Sequence, residues 1–188
     1  TEVLSRTLSP GEVRTFLETY LSFSLAVREA LRLNLSLNTG EVVDVTAEDV
    51  EKILTWLEGR DLHFGQSAFL SLKEMLASKG VSVPMEVLGY QAILIDILTG
   101  VIHRFSEGDL LLSAFALTRT ASIYEQNFST VKYSFGELLS FYSSRCPDPE
   151  APCALRMIAR IGEDHFVVVV RVTADEVVYR EVVKGPEG

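Results

Sequence analysis

The chain has 188 residues, 47% hydrophobic and 23% charged, with 17 Lys+Arg against 26 Asp+Glu and a formal net charge of −9. That composition is globular, and it excludes disordered, collagen-like, low-complexity and disulfide-dense classes; a length within ~100–200 residues points to a single domain, 1–188. The densest basic stretch, Arg28 to Arg32, carries two positive charges in an acidic chain, so neither nucleic acid nor an anionic membrane surface is an expected partner.

The first start signal is Ser9-Pro10-Gly11-Glu12, a capping box with proline at the first helical position. It predicts a helix to about Glu29, with Phe16, Leu17, Tyr20, Leu21, Leu25 and Val27 on its apolar face. Leu31, Leu33, Leu35 and Leu37 then alternate with polar residues, Asn38-Thr39-Gly40 supplies a turn, and Glu41 to Val45 is extended again. This reads as a β-hairpin and completes an N-terminal unit of helix and hairpin over 9–46.

A helical region follows over 47–144. Thr46 to Asp49 caps a helix to about Glu58 that turns Val50, Ile53, Leu54 and Leu57 inward. Trp56, the one tryptophan, is a core residue or an interaction anchor. Gln66 to Ser78 is helical and ends at Gly80; Met85 to Thr99 is a strongly apolar helix ended by Gly100. Val101 to Phe105 is too short to type. Ser106 is expected to cap a helix to about Glu125, buried around Leu110–Leu117, and Thr130 to Tyr133 reads as a short strand. Ser134-Phe135-Gly136-Glu137 is a second capping box and opens a helix to about Ser143.

Beyond Cys146-Pro147-Asp148-Pro149-Glu150-Ala151-Pro152-Cys153 the chain turns to β structure, a meander over 154–183: Ala154–Ile161, His165–Thr173 and Val177–Val183. Phe166 to Val170 does not alternate, so both faces of that strand are expected to be covered. The fold class is therefore α+β, helices packed on an antiparallel C-terminal three-stranded meander, plus the early hairpin. Cys146 and Cys153 are read as two reduced thiols of a cytoplasmic protein, with a short disulfide clasp as the alternative. The N-terminal residues carry no basic-then-apolar leader pattern, and no apolar run approaches the ~20 residues of a membrane span.

The search for chemistry yields single residues and no constellation. Phosphate-cradling glycine motifs, His-Glu-x-x-His and Gly-x-Ser-x-Gly are absent. No cofactor is implied, and three histidines with no Cys-x-x-Cys give no metal set. Asp96, inside Gln91–Leu98, reads as one residue of a narrow solvent stripe, with His103-Arg104 as an ion-pair option if the chain turns back. His165, following Asp164 at the mouth of the most apolar strand, is a general-base candidate if a nucleophile is within reach; a half-exposed imidazole at a hairpin is the plainer reading, as it is for His63.

Gly65-Gln66-Ser67-Ala68-Phe69-Leu70-Ser71-Leu72 with Lys79-Gly80-Val81-Ser82-Val83, then Ser134–Leu139, Ile158-Ala159-Arg160 and His165-Phe166-Val167-Val168-Val169, resemble in that order the papain-like bacteriocin-processing (C39-type) peptidase domain. The resemblance spans about two-thirds of the chain in short pieces, and residues 1–60 have no counterpart in it. It implies that His165 is the catalytic-type histidine and Glu181 the acid that orients it. The nucleophilic cysteine would fall at Phe64, which has no thiol, and neither Cys146 nor Cys153 lies where a helix-N-terminal thiolate is needed.

With a mean hydropathy of +0.22 and no gathered reactive groups, the expected function is a non-catalytic protein–protein interaction or assembly module, oligomeric through a protein partner or itself. The alternatives are a peptidase-shaped domain that binds peptide segments without cleaving them, and a small-molecule binder or enzyme with an atypical site near His165, Glu181, Asp96 or His103.

Overall fold

The computed structural model describes residues 8–24, 26–28, 45–59, 66–99, 103–104, 110–148, 153, 155–162 and 165–182. Helix α1 (Pro10–Ser22) starts at the capping box: the Ser9 hydroxyl accepts the Glu12 N–H at 3.3 Å, and the Glu12 carboxylate accepts the Ser9 N–H at 2.9 Å. It ends at Ser22, short of the expected Glu29, because Phe23 is extended (φ −76, ψ 147). The hydroxyls of Thr15, Thr19 and Ser22 donate to the carbonyls of Gly11, Thr15 and Thr19, the local competition that weakens a helix toward its end. Val27, expected inward, is 44% exposed. Helix α2 (Ala47–Gly59) is capped by Thr46, whose N–H donates to Asp49 at 2.7 Å while its hydroxyl accepts the Asp49 N–H at 3.2 Å. Val50, Ile53 and Leu54 of α2 join Val13, Leu17 and Tyr20 of α1 in one core. The hairpin expected over Leu31–Val45 lies outside the described residues but for Val45, which is buried.

Helix α3 (Gln66–Ala77) closes through Gly80, whose φ of +78 suits glycine, as the Val81 N–H returns to the Leu76 carbonyl at 3.0 Å. Helix α4 (Met85–Thr99) is buried from Val87 to Ile97 without a break, as an apolar sequence lacking a polar face requires. It is the enclosed central helix. The apolar pattern after Ser106 predicts a buried central helix there. Instead, Leu110–Leu111 forms strand β2, antiparallel to β1 (His103–Arg104), and helix α5 (Ala114–Ile123) starts seven residues later than a cap at Ser106 would predict. Ser113 is the cap, accepting the Ala116 N–H at 2.9 Å.

No strand forms over Thr130–Tyr133; Val131 is 57% exposed, so it has no sheet to join. Helix α6 (Phe135–Arg145) begins at the second capping box, with Ser134 and Glu137 bonded reciprocally. The chain ends in an antiparallel sheet of order β3-β4-β5: β3 (Met157–Ile161), β4 (His165–Val172) and β5 (Val177–Arg180). The fold is α+β, with the sheet C-terminal as its sequence indicates.

The sheet has a covered face on each side. Ile158 and its cross-strand partner Val168 share one face with Phe166, which joins the main core, where α3 packs on β4. Val169, Val172, Met157 and Ala159 meet α6 on the other. Phe166 to Val169 are buried, as the unbroken apolar run requires, but Val170 is 53% exposed. A register shift between Val169 and Arg171 explains it: the bulge turns one residue out of the pleat.

Candidate functional site around His165

Two serines one helical turn apart attach α3 to the start of β4. The Ser67 hydroxyl accepts the Phe166 N–H at 3.1 Å, and the Ser71 hydroxyl donates to the Phe166 carbonyl at 3.4 Å. Strand β5 pairs with β4 only from Val168 onward, so at Phe166 these hydroxyls do what a neighbouring strand does elsewhere. The i, i+4 spacing puts both on one helix face. Their placement brings the first turn of α3 beside His165.

His165 Nε2 lies 3.3 Å from Glu181 Oε1, with the two side chains 40% and 58% exposed. A pair this open to water contributes little stability. It does restrain the ring by one nitrogen and leave Nδ1 for another neighbour. Just before Glu181, Arg180 forms an ion pair with Glu74 of α3, a second tie between that helix and the chain leaving β5. The structure therefore brings together His165, Glu181 and the start of α3. Ser67, Ser71 and the Glu74–Arg180 pair were not singled out in the sequence; the signal available was two serines at helical spacing inside an otherwise apolar helix.

Of the other sequence candidates, Asp96 has a setting of its own. Asp96 is 1% exposed, which corrects the solvent-stripe reading, and its hydrogen-bond partner among the described residues is Ser113. Its carboxylate accepts the Ser113 N–H at 2.8 Å and the Ser113 hydroxyl at 2.5 Å. Burial pushes the carboxyl up to about 7, against the lowering pull of those two bonds. Asp96 thus ties α4 to the cap of α5 and has a structural part. The backbone of His103 pairs with Leu111 in β1, while its ring, the Trp56 side chain and all of His63 and Phe64 lie outside the described residues. Among the described residues no group of His, Cys, Asp and Glu is arranged to hold a metal ion, and no helix is long and apolar enough to cross a membrane.

Cys146 and Cys153 form a disulfide, with Cα atoms 5.5 Å apart, which corrects the expectation of two reduced thiols. The two cysteines are seven residues apart in sequence, and their Cα separation lies within the usual range for a bridge. Comparison of the chain with family models, curated proteins and solved structures finds no match.

Proposed function

We propose that this domain is a non-catalytic interaction module, shaped like a papain-type peptidase, that holds polypeptide segments at the junction of α3 and β4 without cutting them. The observation that supports it is the attachment of the first turn of α3 to Phe166, which sets His165 and Glu181 beside the helix start that Phe64 and Gly65 precede in sequence. On this reading His165 is the base and Glu181 its orienting acid, with phenylalanine where the resemblance requires a thiol, and a base without a nucleophile transfers no acyl group. The expected cytoplasmic location is opposed by the Cys146–Cys153 disulfide, which supports a working environment that is oxidising at least intermittently.

The test restores the missing group. In a Phe64→Cys variant the new thiol should be alkylated by iodoacetamide at pH 6 at least ~10-fold faster than an ordinary cysteine of pKa about 8.5, and the excess should vanish when His165→Ala is added. The unaltered protein, titrated with a defined library of unstructured peptides, should shift the Phe166 amide and His165 ring NMR signals and leave every peptide intact by mass spectrometry. Ordinary thiol reactivity in the variant, or no peptide that moves those signals, would overturn the reading. Peptide cleavage by the unaltered protein would make it an enzyme.

A second reading, self-assembly, is favoured by the exposed side chains of Val131, Tyr133 and Phe135 around the start of α6, where Tyr133 stacks on Phe141 at 5.4 Å. Sedimentation showing a dimer that Tyr133→Ser with Phe135→Ser dissolves would support it over the first.

A further inference from the structure

We propose that the Cys146–Cys153 disulfide is a redox-operated latch that holds α6 over the outer face of the sheet. The bond joins the C-cap residue of α6 to the segment that leads into β3. Both sulfurs belong to the small apolar cluster between α6 and the sheet: Cys146 is among its buried members with Tyr142, Val169 and Val172, and Cys153 packs against them. The covalent bond is therefore part of what it fastens.

Apart from that cluster, α6 has a weak hold. Its first residues are exposed, and its hydrogen bond to the sheet is Tyr142 Oη to the Val170 carbonyl at 3.2 Å. The main core lies on the opposite face of β4 and contains neither cysteine. Loss of the bond thus acts on one element and spares the rest. A loop closed over so few residues stabilises the fold only modestly, so the reduced chain keeps its fold. Cys153 is only partly buried, whereas Cys146 is buried.

The reductant is an external dithiol or a pair of monothiols. One thiolate attacks a sulfur of the bridge and forms a mixed disulfide, releasing the other cysteine as a thiolate that takes up a proton. A second external thiol resolves the mixed disulfide, so the protein gains two thiols as the reductant becomes its own disulfide. Two electrons and two protons move in all. With the latch open, α6 leaves the sheet more often and bares Val169 and Val172, an apolar face on the sheet side away from α3.

Hydrogen exchange on the full chain, equilibrated in glutathione buffers from oxidising to reducing and quenched by alkylation, tests this. The expected result is a two-electron titration within the series in which α6 amides exchange at least ~10-fold faster once reduced, while α4 amides change by less than ~2-fold. Cys146→Ser combined with Cys153→Ser should match the reduced state in every buffer. A bridge that stays oxidised throughout, α6 protection that ignores reduction, or α4 and α6 losing protection together would each overturn the latch.

Discussion

The two faces of β4 are stabilised by different means. On one, α3, α4 and α5 enclose a large core, with Phe69, Leu72, Leu88 and Ile93 almost wholly buried. On the other, α6 covers a small patch and the chain adds a disulfide across it. Apolar burial scales with area, so the large face is stable by packing alone, and a helix that buries little benefits from a covalent constraint on its unfolded alternatives. Polar groups divide the same way: the large face takes in a carboxyl, Asp96, with full hydrogen-bonding partners, whereas the carboxylate at the start of α6, Glu137, stays at the surface as a cap.

The largest expected difference between the faces is in packing. Phe69→Ala, at a fully buried position, should cost about 3–5 kcal/mol by chemical denaturation. Leu139→Ala, at a partly buried position against α6's patch, should cost about 1–2 kcal/mol. Equal losses would mean that the α6 face is packed as tightly as the main core.

Next comes Asp96. Its folded-state pKa is raised from 3.8 to about 7, so between those values the folded protein binds more protons than the unfolded chain, and stability falls as pH rises through that window. The fall is at most about 4 kcal/mol, complete above pH about 7, and absent below pH about 4. Asp96→Asn should flatten that part of the stability–pH curve and be the more stable protein at pH 8. A variant with an unchanged slope would show that Asp96 is not the titrating group.

The smallest contrast is in the polar attachments to β4. Ser71→Ala leaves the buried Phe166 carbonyl without its α3 donor and should cost about 1–2 kcal/mol, whereas Tyr142→Phe, next to the exposed Val170, should cost about 0.5–1 kcal/mol. Paired denaturation curves check the order, and a reversed one would place the tighter attachment on the α6 side.

Much of the architecture was legible from local patterns because those patterns act locally. Both capping boxes stand where their Ser and Glu residues put them, Gly80 ends α3, and the three C-terminal apolar runs form the meander. The site was legible only in part. His165 and Glu181 were picked out through a resemblance, while the serines that seat α3 against them were not, since a hydroxyl inside an apolar helix has no local signature that names its acceptor.

The sequence by itself determined the class of fold, the starts of α1, α2 and α6 and the C-terminal apolar strands, because capping, turn chemistry and side-chain periodicity act within a few residues. Only the tertiary structure decided that Asp96 is buried against Ser113 rather than solvated, that α5 starts at Ala114, that Val170 is turned out by a bulge and that Cys146 meets Cys153. Each of these depends on which distant segment arrives to satisfy a polar group, cover a face or meet a sulfur, and residue spacing along the chain does not carry that choice.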